Sequence, residues 1–216
     1  MSDPASIDSL IKSLGAQAAP VRRLLSPGRR AAGWAVVVAA IAAYLLWRYG
    51  LGGMMERWER APDVACSALA AFATCIAAGW AAFALAVPGS SRAWMLVPLP
   101  SLLVWLGSSG WGCMRYWLTP DSAPLSVPSA DCLVFIVALS VPLSILLIVL
   151  LRRAFPLHPV RAAAMIGLAS ASASAGLLGI FHPIDASASD LAMHVVAVLL
   201  VIGVNAAMGG RLLQPR

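Results

Sequence analysis

The chain has 216 residues, of which 61% are hydrophobic and only 11% are charged, with a formal net charge of +6. Soluble domains carry about 25% charged residues, so this composition and a mean hydropathy of +0.86 exclude an ordinary water-soluble domain. A helix needs roughly 20 apolar residues to cross a bilayer, and lipid cannot satisfy an open strand edge. We therefore predict an all-α membrane bundle of six transmembrane helices, at residues 31–50, 63–87, 93–112, 131–151, 161–181 and 191–210.

The tail before the first span is predicted to contain a short amphipathic helix. Asp3-Pro4 is typical of a helix start, and Pro20 ends the helix. The apolar residues that recur at helical spacing between them are Ile7, Leu10, Ile11 and Leu14. Such a helix either lies on the inner leaflet or docks its apolar face into a groove of a cytoplasmic protein. A signal peptide would place a shorter apolar run nearer Met1, so we expect the first span to be retained.

Basic residues gather on one side of the predicted spans. Of the 15 Lys and Arg residues, 11 lie in the tail, in the second and fourth connections or after the last span. The positive-inside rule therefore predicts that both termini are cytoplasmic, and the charge indicates topology rather than nucleic-acid binding. The predicted domains are a cytoplasmic tail (1–30), a six-helix transmembrane domain (31–210) and a cytoplasmic end (211–216).

The spans lack an ionisable residue at their centres, which disfavours pumps, proton relays and active transporters. Asn205 lies deep in the last span, where an interhelical hydrogen bond is expected rather than a substrate site. The fifth span has a small residue at every fourth position, namely Ala163, Gly167, Ala171, Ala175 and Gly179. Such a stripe permits close helix packing, so we expect packing inside the bundle, with a homodimer face as the alternative.

Two of the four cysteines bracket the third connection. Cys113 closes the third span and Cys132 opens the fourth, both on the side opposite the termini. A disulfide between them is sterically feasible in an oxidising compartment. It would be either a permanent staple, which the residues alone favour, or a reversible thiol pair that senses oxidants or thiophilic metals.

The last connection and the start of the sixth span contain four potential metal ligands, His182, Asp185, Asp190 and His194. The alternative, which the pattern favours, is helix capping by Asp185 or Ser187 and interfacial hydrogen bonds from the histidines. No cofactor is expected. The sequence has no Ser-His-Asp order, nucleotide-binding loop or Cys-x-x-Cys motif, so we do not expect an enzyme.

Four segments together resemble the NrsF family of six-helix bacterial membrane proteins, which are negative regulators of an extracytoplasmic-function sigma factor. They are IDSLIKSLGAQAAPVRRL (7–24), RAWMLVPLPSLLVWLGSSGWGCMRYW (92–117), FIVALSVPLSILLIVLLRRAFPLHP (135–159) and GIFHPIDASASDLAMHVVAVLL (179–200). The resemblance covers nearly the whole chain, and its specificity comes from the order of the segments along six helices.

The resemblance implies an inner-membrane anti-sigma factor whose tail holds the sigma factor away from RNA polymerase. The tail positions that match are Leu10, Ile11, Leu14, Pro20, Val21, Arg22, Arg23 and Leu24, and Ile7 shares the helix face. It also implies that outer cysteines sense oxidative or metal stress, and Cys113 fits the cysteine at the end of the third helix. The family's second cysteine is missing from the last outer loop, so Cys132 would take over the pairing role. The alternatives are a small-molecule or ion permease with a serine-lined path at helix five and a structural membrane scaffold.

Overall fold

The computed structural model describes residues 4–17, 25–118, 130–154, 156–181 and 188–213. All regular secondary structure in these ranges is helical, which confirms the predicted all-α class. One short 3-10 helix, Arg92–Leu96, precedes the fifth α-helix. The α-helices are α1 (Pro4–Gln17), α2 (Pro27–Tyr49), α3 (Leu51–Arg60), α4 (Pro62–Leu85), α5 (Leu99–Leu118), α6 (Ala130–Arg152), α7 (Pro159–Phe181) and α8 (Ala188–Leu213).

Six candidate membrane spans are long and apolar enough to cross a bilayer, as the sequence predicts. They are Pro27–Tyr49, Pro62–Leu85, Arg92–Arg115, Cys132–Arg152, Pro159–Phe181 and Leu191–Leu213. We call the end of the bundle where α2, α5 and α7 begin the basic end, and the other end the opposite end. Exposed residues of these spans would meet lipid over most of their length.

Contacts at both ends fix the helices relative to each other. At the basic end, Arg30 of α2 donates to the carbonyl oxygen of Leu150 in α6 at 3.3 Å. Its guanidinium lies 5.1 Å from the centre of the Phe83 ring of α4. At the opposite end, the rings of Tyr49 and Phe181 stack at 4.7 Å. These contacts tie α2 to α4 and α6 at one end and to α7 at the other.

The central helix of the bundle is α7, which packs against α4, α6 and α8. A Cβ added to Gly167 would come within 2.7 Å of the Ile202 Cα, and one added to Gly179 within 3.3 Å of the Ala68 Cβ. The small-residue stripe therefore packs inside the bundle, as expected. A homodimer through this stripe does not fit, because α4 and α8 of the same chain already cover it.

Polar side chains join several pairs of spans. Asn205 of α8 donates from Nδ2 to the Ser144 hydroxyl of α6 at 3.2 Å, which confirms the expected interhelical hydrogen bond. Hydroxyl pairs link α4 to α5 and α6 to α7 in the same way. They are Ser67 with Ser109 at 2.8 Å, Thr74 with Ser101 at 3.1 Å and Ser140 with Ser174 at 3.1 Å.

The sequence prediction missed α3, which lies between the first two spans. The chain turns into it at Gly50, whose φ of 82° is in the left-handed region that favours glycine. Met54 of α3 is buried, and Arg57 donates to the carbonyl oxygen of Ile180 at the end of α7. The exposed side of α3 contains the ion pair between Glu56 and Arg60. This amphipathic helix therefore packs over the opposite end of the bundle.

Candidate functional site

The four apolar tail residues that the sequence singles out lie on α1. Their relative exposures are 48% for Ile7, 56% for Leu10, 61% for Ile11 and 60% for Leu14. Positions i, i+3, i+4 and i+7 share one face of an α-helix, so these side chains form a single apolar face. Within the described residues, α1 does not pack extensively on any other helix. Among the described residues, this apolar face is therefore largely uncovered.

The other predicted tail residues lie outside the part of the chain that the structure describes. They are Pro20, Val21, Arg22, Arg23 and Leu24. The next described residue is Leu25. Helix α2 begins at Pro27, and the Ser26 hydroxyl accepts a hydrogen bond from the Arg29 backbone N–H at 3.4 Å. Arg30 is buried one residue later. The tail therefore joins the bundle next to a capped helix start and a buried arginine.

The two cysteines that bracket the third connection, Cys113 and Cys132, lie on helices with different main neighbours. Cys113, near the end of α5, carries a half-buried free thiol, and Cys132, at the start of α6, is 1% exposed. The main partner of α5 is α4, whereas α6 packs on α7 and α8. No disulfide joins the described cysteines, so their pairing stays a prediction.

Only some of the candidate metal ligands are among the residues that the structure describes. His182 and Asp185 are not, and for Asp190 only the backbone is described, in the first turn of α8. His194 lies on α8 and lines a cavity at the opposite end. Among the described residues, no group of three or more His, Cys, Asp or Glu side chains could hold a metal ion.

That cavity lies between α4, α5, α7 and α8 and has a volume of about 280 Å³. At its mouth, an Asp63 carboxylate oxygen of α4 lies 2.9 Å from an Arg115 guanidinium nitrogen of α5. The Asp63 side chain is 8% exposed, whereas that of Arg115 is 41% exposed. A buried carboxylate requires a charged or hydrogen-bonding partner, and Arg115 supplies one. The ion pair therefore holds α4 and α5 together at the opposite end of the bundle.

Sequence reasoning missed the pairing of Asp63 with Arg115. Both belong to the ends of consecutive spans, so their helices run as an antiparallel pair. An acid at the start of one span and a base at the end of the next were the signal that could have found the pair. The sequence has no comparable signal for the cavity behind them, because most of its lining residues are apolar residues of the kind found throughout the spans.

Comparison with protein-family models gives a match. A family model described as NrsF, Negative regulator of sigma F, matches residues 14–214. No curated protein and no solved structure matches the chain significantly. The match takes in all six spans and begins at Leu14, near the end of α1.

Proposed function

Because this chain belongs to the NrsF family of negative regulators of sigma F, we propose that it is a membrane-bound anti-sigma factor that sequesters an extracytoplasmic-function sigma factor. The segment from Ile7 to Leu24 binds the sigma factor and holds it at the inner membrane, away from RNA polymerase. The observation that carries the proposal is the exposed apolar face of α1.

An amphipathic helix binds a groove through anchors at i, i+3, i+4 and i+7. Ile7, Leu10, Ile11 and Leu14 have this spacing and are each about half exposed or more. Burial of such side chains stabilises a complex by roughly 1.5–3 kcal/mol each before the ordering costs. In the proposed complex, Arg22 and Arg23 contact acidic sigma-factor surface. Pro20 and Val21 lie between the α1 anchors and these two arginines in the sequence, and Leu24 follows the arginines directly.

The positive-inside rule supports the location that this mechanism requires. The proposed topology is a multi-pass inner-membrane protein with both termini in the cytoplasm, so that α1 and the sigma factor share a compartment. Arg30, buried against Phe83 and the carbonyl of Leu150, fixes the point at which the tail leaves the bundle. Sequestration then needs no catalysis, which agrees with the proposed non-enzymatic role.

The test replaces two anchors, Leu10→Asp with Leu14→Asp, and measures transcription of a sigma-dependent reporter in cells. Loss of two hot-spot anchors costs about 2–4 kcal/mol or more of binding, so reporter output should rise at least tenfold. A matched control, Ser9→Asp with Ala16→Asp, adds the same charge to the other side of α1 and should leave the reporter repressed. Unchanged output from the anchor variant at normal protein levels would rule out this binding mode.

We further propose that Cys113 and Cys132 report oxidative or metal stress to the tail. Cys113 is half-buried and Cys132 is buried, so Cys113 is the thiol that an oxidant or a thiophilic metal reaches first. A change there would pass along α5 and α6 to the basic end, where the tail begins.

The permease alternative has less support. The Ser172 and Ser174 hydroxyls of α7 donate to carbonyl oxygens of their own helix, Leu168 at 2.7 Å and Ser170 at 2.9 Å. Both side chains are fully buried. Serines in this state support helix packing rather than a hydrated path. Uptake or conductance in reconstituted vesicles would favour the permease, and the absence of both transport and sigma-factor binding would favour a scaffold.

A further inference from the structure

The cavity at the opposite end reaches the centre of the bundle. Ala175 and Gly179 of α7 line it, and both are partly accessible although the α7 residues directly beside them are buried. The cavity also opens sideways between α5 and α8. Leu106 of α5 and Leu199 of α8 line it and are 46% and 62% exposed. In a bilayer, this opening faces lipid, so a hydrophobic molecule reaches the cavity from the membrane.

The polarity of the cavity changes along the membrane normal. The polar lining groups, Asp63, Ser67, Ser108, Ser109 and His194, come from the parts of α4, α5 and α8 nearest the opposite end. Towards the middle of the bilayer, the lining becomes apolar, with Leu102, Trp105, Val198 and Ile202. A ligand that matches both regions has a polar head and a hydrocarbon body.

The ion pair at the mouth sets the charge of the head. Asp63 and Arg115 lie 2.9 Å apart and neutralise each other. A charged head would have to break this pair or lose water without a counter-charge, and both are costly. Ser67 and Ser109 share a hydrogen bond of 2.8 Å, in which the donor hydroxyl keeps both of its lone pairs and the acceptor hydroxyl keeps its hydrogen and one lone pair. These groups suit a neutral head that donates and accepts hydrogen bonds, such as a hydroxyl.

The volume sets the size of the ligand. A dry cavity of about 150 Å³ accommodates benzene, so about 280 Å³ has room for a molecule of roughly twice that size. This corresponds to about 10 non-hydrogen atoms, which is a medium-chain alcohol or an alkylphenol and far less than a whole phospholipid.

We propose that this cavity is a binding site for a small uncharged amphiphile that enters from the membrane. Its hydroxyl lies beside Asp63, Ser67 and Ser109, and its hydrocarbon body lies against Trp105 and Val198. This inference does not depend on the sigma-factor proposal, because the isolated chain contains the whole site.

The test photolabels the purified full-length chain with an octanol that carries a diazirine. The chain is held in nanodiscs of phosphatidylethanolamine and phosphatidylglycerol, and labelled peptides are mapped by mass spectrometry. We expect saturable labelling of α5 and α8 at cavity residues, reduced at least tenfold by excess 1-octanol and much less by octane, which has no hydroxyl. Labelling spread over all lipid-facing surfaces, without competition, would overturn the proposal and leave only bulk lipid in the opening.

Variants test whether the labelled molecule binds in the cavity. Ala175→Phe fills the cavity floor and should lower the saturable labelling at least tenfold, whereas Ala40→Phe, at an exposed position of α2, should not change it. If Ala175→Phe does not yield a monodisperse helical protein, Val195→Trp, one turn from Leu199 at the exposed rim, closes the side opening without entering the core. Undiminished labelling in a folded cavity variant would also contradict the proposal.

Discussion

Gly167 of α7 lies so close to Ile202 of α8 that a Cβ on the glycine would come within 2.7 Å of the Ile202 Cα. The same atom would lie 3.0 Å from the backbone oxygen of Val201. Because both contacts are with backbone, no change of side-chain rotamer could relieve the overlap. Gly167 is therefore one of the residues that set how closely α7 and α8 approach.

Replacing this glycine should separate the two helices. We expect Gly167→Val to destabilise the bundle by about 3 kcal/mol, since overpacking against rigid backbone forces a helix shift. Thermal unfolding in mild detergent, followed by far-UV circular dichroism, measures the effect. Gly203→Val is the matched control, because a Cβ at Gly203 would meet nothing within 4 Å. Equal stability of the two variants would show that α7 and α8 do not pack as described.

The hydrogen bond between Asn205 and Ser144 should contribute modestly to stability. Interhelical hydrogen bonds in membrane bundles average about 0.6 kcal/mol and reach about 1.7 kcal/mol. We expect Asn205→Leu to lower the free energy of unfolding by about 1 kcal/mol, because it removes a 3.2 Å contact between α8 and α6. Ser108→Ala is the control, since that hydroxyl donates within its own helix, to Val104 at 2.8 Å. A loss no larger in Asn205→Leu than in Ser108→Ala would argue against this link.

The Asp63–Arg115 pair should show measurable coupling. In a double-mutant cycle with Asp63→Asn and Arg115→Gln, we expect an interaction energy of roughly 1–2 kcal/mol, since the carboxylate is almost buried while the guanidinium is partly solvated. The exposed pair Glu56–Arg60 serves as the comparison, with an expected coupling of about 0.3–0.5 kcal/mol. Coupling at Asp63–Arg115 no larger than in the exposed pair would mean that the pair does not hold α4 to α5.

Cys113 should be required for any thiol-based signal. A Cys113→Ser strain is expected to keep the sigma-dependent reporter repressed after oxidant or cadmium treatment, because the more accessible thiol of the proposed pair is gone. Cys66→Ser is the control, since Cys66 is exposed on α4 and takes no part in the proposed pair. A normal response in the Cys113→Ser strain would refute the sensing proposal. It would not contradict the proposal that the tail holds the sigma factor at the membrane.

The sequence predicted the spans well because lipid imposes a long apolar run on each of them. Hydrophobic length alone identified all six, and a four-residue spacing of small residues identified the buried helix α7. Asn205 was predictable for the same reason, since a lone amide in a span needs a partner on another helix.

Features that depend on three-dimensional proximity were not predictable. The amphipathic helix α3 was missed because its Leu51–Arg60 segment is short and charged between two long apolar runs. The cavity was missed because its lining comes from α4, α5, α7 and α8, which no single helix encodes. The pairing of Cys113 with Cys132 depends on an oxidising compartment, and the partner of the tail anchors is another protein, so both remain predictions.

The most direct test of the central proposal is to isolate the tagged full-length protein from its own cells in mild detergent and identify the proteins that accompany it. A version lacking residues 1–26 keeps α2 and the rest of the bundle and serves as the control. We predict that a sigma factor accompanies the full-length chain and is absent from the shortened one. No sigma factor with either form, or equal amounts with both, would contradict sequestration through the tail.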